Sequence, residues 1–183
     1  MKLYKLRMNE KLKKMEKKSN TLQVYTDGGC RPTNPGPGAW GYAYVIDDEE
    51  ITSHAGFEKE TTNNRMEMKA ALNAIYNYHT FSLLHLNGKY NIDRIEILSD
   101  SQYVCKGITV WIVGWKNRDG ENSSNKTVEN LDLWKELDHA VQFIKNSNIE
   151  INFTWVKGHN GNKFNEIVDQ LCTKCINENK DYE

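Results

Sequence analysis

The hydrophobic pattern of this chain changes period once, near residue 60, and that change limits the folds open to it. Leu22-Gln23-Val24-Tyr25-Thr26 alternates with period two and runs into Asp27-Gly28-Gly29, a turn signal. Alternation over 39–46 predicts a second strand, 47–50 a turn, and 51–57 a third strand. Three sequential strands with short links predict an antiparallel meander. The loop over 31–38 holds all three prolines of the protein, which makes it a stiff connection. From Asn63 to about Tyr78 the spacing becomes helical: Met66, Ala70, Ala74 and Tyr78 mark one side, and Ala71, Leu72 and Ile75 widen it. Further strands are expected over 95–98 and 149–155, with helical stretches over 101–107 and 131–145. Phe164, Ile167, Val168, Leu171, Cys172 and Cys175 trace the face of a last helix. Strands first, then an αβα alternation, predict an α/β protein with one mixed five-stranded sheet and helices packed on it.

With 183 residues the chain is long enough for one domain with a real core. No run of about 18 apolar residues exists, which excludes a transmembrane helix. The lysine-rich start has no compact apolar stretch of the kind a secretory signal needs. Cys30, Cys105, Cys172 and Cys175 are too few for a disulfide scaffold, so a reduced, cytoplasmic, monomeric protein is expected. Cys172-x-x-Cys175 has no second ligand pair and reads as buried helical cysteine rather than zinc. Charge is uneven: residues 1–20 hold eight Lys/Arg against two Glu, a balance of +6, and the remaining 163 residues carry −7. Residues 1–20 therefore read as a flexible basic arm ahead of a domain over 21–183. Such an arm is either a solvated tail or a nucleic-acid contact.

Four carboxylates have plain readings one at a time. Asp27 suits an Asp-Gly turn. Glu67 suits an Asn64-x-x-Glu67 capping box, Asp100 a helix N-cap, and Asp169 the solvated side of the last helix. Taken together, two of these acids end strands, where open α/β sheets place ligands, and two lie on helices. Hard divalent cations take oxygen ligands, and a pair of them about 3.5–4 Å apart needs such a cluster. Residue spacing alone does not say whether the four meet.

Ordered blocks across roughly residues 22–176 carry a more specific signal. Tyr25-Thr26-Asp27-Gly28, Asn34-Pro35-Gly36-Pro37-Gly38, Thr61-Thr62-Asn63-Asn64-Arg65-Met66-Glu67 and Leu98-Ser99-Asp100-Ser101-Gln102-Tyr103-Val104 come first. Trp111 through Trp115-Lys116, Asn130-Leu131-Asp132-Leu133-Trp134, Trp155-Val156-Lys157-Gly158-His159, Asn165-Glu166 and Asp169 follow. In these blocks the chain resembles bacterial-type ribonuclease H, type 1, whose members cut the RNA strand of RNA–DNA hybrids. The resemblance implies the ribonuclease H-like fold. It also implies that Asp27, Glu67, Asp100 and Asp169 bind two Mg²⁺ ions, with Mn²⁺ as a substitute. The implied reaction is in-line attack of water on a phosphodiester, leaving 3′-hydroxyl and 5′-phosphate ends. His159, in a loop, matches the family histidine that assists proton transfer or product release. Asn63 and Gln102 match minor-groove contacts, where the 2′-hydroxyl tells RNA from DNA, and Asn34 is a further candidate. Thr62 and Asn130 match a pocket for a DNA-strand phosphate. Trp111 and Trp115 match an aromatic channel beside that strand, although i, i+4 packing into the core explains them equally well.

Two departures stand out. The loop after Asp27 has one more residue before Asn34 than the common bacterial pattern. The segment 111–130 is charge-balanced, with Lys116, Arg118 and Lys126 against Asp119, Glu121 and Glu129, so weaker phosphate binding is expected of it. A hybrid-binding module without catalysis is the competing class; it would lack a carboxylate, and all four are present. A standalone enzyme is expected over a reverse-transcriptase domain.

Overall fold

The computed structural model describes residues 20–86, 89–158 and 160–182. Five strands form one sheet: β1 (Thr21–Cys30), β2 (Gly36–Ile46), β3 (Glu49–Thr61), β4 (Arg94–Ser99) and β5 (Glu150–Trp155). Their order across the sheet is β3-β2-β1-β4-β5. The first three form the expected antiparallel meander, and β4 and β5 add parallel strands on the other side of β1. The helices are α1 (Asn63–Phe81), α2 (Gln102–Lys106), α3 (Ile112–Lys116), α4 (Leu131–Asn146) and α5 (Lys163–Glu178). A π-helical turn, Gly107–Trp111, joins α2 to α3. No helix among the described residues is long and apolar enough to cross a membrane.

Alternation on the strands sorts the core into two layers. Leu22, Val24, Tyr42, Tyr44, Ile46, Ile95, Ile97 and Ile151 pack under α1 and α4. Tyr25, Ala39, Ala43, Val45 and Leu98 face α5, which contributes Phe164, Val168, Cys172 and Cys175. Strand β2 is thus large on one face and small on the other. At Gly41 a Cβ would sit 2.8 Å from Cys172 Sγ, so the missing side chain sets how closely α5 lies on the sheet. Cys172 and Cys175 are free and buried, as their helical spacing predicts.

Three local expectations are corrected. Asp27-Gly28-Gly29 is no turn: β1 runs on through Cys30, with Gly28 opposite Trp40 and Gly29 opposite Ala39. The proline loop therefore shrinks to 31–35. Asn64 does not cap α1; Thr62 does, its hydroxyl accepting from the Arg65 amide at 3.4 Å. Nor does Asp100 cap α2, because Ser101 accepts from the Val104 amide at 3.3 Å. In each case a neighbour does the local work and the carboxylate is left over.

Candidate active site

Parallel pairing brings the first two acids together. Thr26 lies opposite Ser99 in the β1–β4 register, so Asp27 and Asp100 follow on adjacent strands at one level. Helix α1 crosses β1 at Gly28, where an added Cβ would overlap the main chain of Met66 and Glu67. That approach lowers Glu67 onto the strand ends. Oxygens of Asp27, Glu67 and Asp100 lie within 4.8 Å of one another. Asp169, on α5, lines the same cleft of about 280 Å³ from the opposite face of the sheet.

Like charges at this spacing repel, and burial adds to the cost of ionising them. Asp27 is pushed up to about 6, first by burial and then by Asp100 and Asp169; the Gly28 amide, 2.8 Å from its Oδ1, and Arg31 oppose the rise. Glu67 is pushed well above the usual carboxylate range by burial, with Asp27 and Asp100 adding to it. Its Oε2 is buried and, among the described residues, accepts no hydrogen bond. An orphaned carboxylate oxygen facing two further carboxylates suits a hard divalent cation, whose charge would offset the repulsion and whose shell takes oxygen. Cysteine chemistry is not supported: burial and the nearby acids push Cys105 up to about 11 and Cys172 well above its ordinary value, so both stay thiols at neutral pH.

Around this centre hydrogen bonds tie the other candidates together. Asn34 Oδ1 accepts from the Asn63 amide at 3.1 Å, and Asn63 Oδ1 accepts from the Cys30 amide at 2.6 Å. Loop, helix start and strand end are thus one unit. Gln102 begins α2, exposed, its Oε1 held by Lys106 at 2.8 Å. Thr62 and Asn130 meet through a residue that the motifs contain but sequence reading leaves without a role. Arg65 donates its main-chain N–H to Thr62, one Nη1 bond of 3.3 Å to Asn130, and a two-pronged pair at 3.1 and 2.8 Å to Asp132. Tyr103 is a second such residue: its hydroxyl accepts from Asn130 Nδ2 and Trp134 Nε1, both at 3.2 Å. An Arg and a Tyr inside a motif give no sequence signal of what they will reach.

Trp111 and Trp115 form a chain of rings that runs outward from the core. Ring centroids step from buried Trp134 to Trp115 at 5.3 Å and on to Trp111 at 5.8 Å. The inner end is core, and Trp111 is 38% exposed. Lys116 pairs with Asp138 at 2.6 Å, which removes one cation from a segment already charge-balanced. His159 and residues 1–19 of the expected arm over 1–20 lie outside the described residues; Asn20, which is described, bonds to Asp93 and Arg94. Gly158, beside His159, brings that loop so close that a Cβ there would overlap the Asp100 carboxylate.

The described residues of the cleft at the strand ends are dominated by carboxylates. The family model RNase H matches residues 19–177. Ribonuclease H of Treponema denticola is 42% identical over 158 residues, covering 84% of this chain and 95% of that protein. Ribonuclease H of Dechloromonas aromatica is 42% identical over 160 residues, 87% and 96% of the two chains. Among solved structures, LC9-RNase H1, a type 1 RNase H with the type 2 active-site motif, superposes with a TM-score of 0.67 at 26% identity, over 88% of this chain and 74% of that one. LC11-RNase H1 in complex with RNA/DNA hybrid superposes with a TM-score of 0.62 at 19% identity, over 86% and 98%. The chain belongs to the RNase H family, and it is an enzyme with the type 1 fold of that family.

Proposed function

We propose that this chain is an endonuclease that hydrolyses the RNA strand of RNA–DNA hybrids, leaving 3′-hydroxyl and 5′-phosphate ends. The observation that carries this reading is the meeting of Asp27, Glu67 and Asp100 oxygens within 4.8 Å, with Asp169 on the rim of the same cleft. Two divalent cations, Mg²⁺ with Mn²⁺ as substitute, would supply activation of water and stabilisation of the leaving oxygen. The chain's own part is to hold four carboxylates around one cleft at the strand ends. His159 moves a proton or speeds product release from its loop.

Substrate choice follows from the polar rim. Asn34 and Asn63 spend their side-chain oxygens internally, so each meets the minor groove through its NH₂ group, beside exposed Gln102. These are the groups that would meet a 2′-hydroxyl. Thr62 and Asn130, fixed by Arg65 and Tyr103, grip a phosphate of the DNA strand, and Trp111 lies along it. That LC11-RNase H1 was solved with an RNA/DNA hybrid supports the substrate class. The test is cleavage of end-labelled hybrid with Mg²⁺, against duplex DNA and duplex RNA. Cutting of the RNA strand in hybrid alone is expected. No cleavage with Mg²⁺ or Mn²⁺, or equal cutting of duplex RNA, would sink the reading.

The arm gives a second measurement. A body of −7 with a charge-balanced protrusion meets a polyanion, and residues 1–20 carry +6. Deleting residues 1–20 is expected to raise KM much more than it lowers kcat. For every phosphate that the arm neutralises, its deletion should flatten the slope of log affinity against log salt by roughly 0.7–0.9. Superimposable salt lines for full-length and truncated chain would make the arm a solvated tail.

A further inference from the structure

The loop between β1 and β2 carries a cation into the acidic cleft. Arg31 reaches across to α5, with Nη2 3.1 Å from Asp169 Oδ1 and Nη1 donating to the Thr173 hydroxyl at 3.0 Å. Residues 169 and 173 are one helical turn apart, so the two bonds lay the guanidinium flat along α5. The Asp169 side chain is 25% exposed and that of Arg31 56%, so the pair is screened on one side only. Among the described residues, Asp169 alone of the four cleft acids has a basic partner within 4 Å. The other three crowd one another instead. Repulsion from Asp169 reaches Asp27, and the charge of Arg31 opposes it.

We propose that Arg31 is a positioning residue that holds the Asp169 carboxylate as an internal counter-cation and must release it before a divalent cation can take that carboxylate as a ligand. The inference rests on the metal reading above and deepens it. Guanidinium and metal ion compete for the same oxygens, because a carboxylate bound to arginine offers fewer lone pairs to a cation. A pair of this exposure shifts an equilibrium by up to a factor of about five. Competition of that size weakens cation uptake on the Asp169 side without blocking it. The three close carboxylates remain open to a cation throughout. In the cation-free protein the same bond quiets the charge that α5 would otherwise turn on Asp27. Arg31 thus exchanges some metal affinity for stability before loading.

The experiment is calorimetric titration with Mn²⁺, without substrate, on wild type, Arg31→Ala, Asp169→Asn and the double variant. Arg31→Ala is expected to tighten Mn²⁺ binding about three- to fivefold. The rise in Tm on saturation with Mn²⁺ should widen in the same variant. In the Asp169→Asn background the same substitution should change affinity by less than about a factor of two, since the carboxylate charge for which arginine and metal compete is gone. Unchanged or weaker binding in Arg31→Ala overturns the proposal. So does equal tightening in both backgrounds, which would make Arg31 a diffuse positive charge. A wild-type chain that takes up no Mn²⁺ overturns the competition and the metal reading together. If the wild type binds Mn²⁺ and cuts hybrid while Arg31→Ala binds Mn²⁺ unchanged, only the role of Arg31 falls.

Discussion

Asp27→Asn and Asp100→Asn are each expected to abolish cleavage of an RNA–DNA hybrid while leaving hybrid binding intact. Neither carboxylate does structural work that asparagine would spoil. Capping of α2 falls to Ser101, and the Gly28 amide bonded to Asp27 Oδ1 finds an oxygen in asparagine as well. What is lost is a charged ligand in a cluster whose oxygens lie within 4.8 Å of one another. Under the proposed function, hybrid affinity would rest instead on Asn34, Asn63, Gln102, Thr62 and Asn130, which these changes do not touch. His159→Ala supplies the contrast: a group that only assists proton movement should leave measurable turnover where Asp100→Asn leaves none. The measurement pairs single-turnover cleavage with a binding assay in Ca²⁺ or EDTA. Near-normal Mg²⁺-dependent turnover in Asp27→Asn would falsify the assignment.

Stability should move in the opposite direction to activity. In the folded, cation-free chain Asp27 titrates at about 6, above its ordinary value of 3.8. Between about pH 4 and pH 6 Asp27 therefore holds more proton in the native state than in the unfolded chain, and its contribution to stability falls as pH rises through that window. Glu67, also raised well above the usual carboxylate range, adds to the same decline. Asp27→Asn removes the group that titrates, so its stability should vary less with pH. At pH 7 in EDTA it should exceed wild type by on the order of 1–3 kcal/mol. Saturating Mg²⁺ should reverse the order, because only the wild type gains fully from the ion. Urea unfolding across pH 4–8, with EDTA and with Mg²⁺, reads both effects. Identical pH dependence of wild type and Asp27→Asn in EDTA would mean that neither burial nor the neighbouring acids raise Asp27.

What the sequence makes legible is local and periodic. The alternation of Leu22-Gln23-Val24-Tyr25-Thr26 announces a strand, and the stripe from Met66 to Tyr78 announces α1; both form as expected. The family blocks bring the four acids into one candidate site, because motif order reports on a shared fold rather than on distance. Long-range geometry is where single residues stop informing. Arg31 and Asp169 are 138 positions apart, and Arg65 and Asp132 are 67 apart. Nothing in the charge of an arginine names its partner. Capping fails for another reason. Thr61-Thr62-Asn63-Asn64 offers four residues that all cap helices well, and only the path of the chain picks Thr62. Asp27-Gly28-Gly29 misleads in the same way: Asp-Gly promises a turn, whereas here the glycine serves the helix that crosses it.

That crossing sets the second large effect. At Gly28 an added Cβ would overlap the Met66 carbonyl carbon and the Glu67 amide nitrogen, both backbone atoms near the start of α1. A side chain could rotate away, but backbone within a helix can yield only if α1 lifts off β1. Gly28→Ala is therefore expected to cost about 1–3 kcal/mol, the usual penalty of overpacking a tight contact. Cleavage should fall further than unfolding explains. Glu67 rides on α1 and Asp27 on β1, so lifting the helix parts two of the three acids directly. A displacement near 1 Å in such a site costs on the order of a hundredfold in rate. Gly29→Ala is the stability control: there the nearest atom is Asn63 Oδ1 at 3.8 Å, ordinary contact, and β1 continues unchanged. Its stability should stay within about 0.5 kcal/mol of wild type. Urea midpoints for both variants, and cleavage rates at a temperature where both remain folded, separate the terms. If Gly28→Ala matches wild type in midpoint and rate, α1 slides without parting the acids, and the close helix–strand approach is not what sets the distance between Asp27 and Glu67.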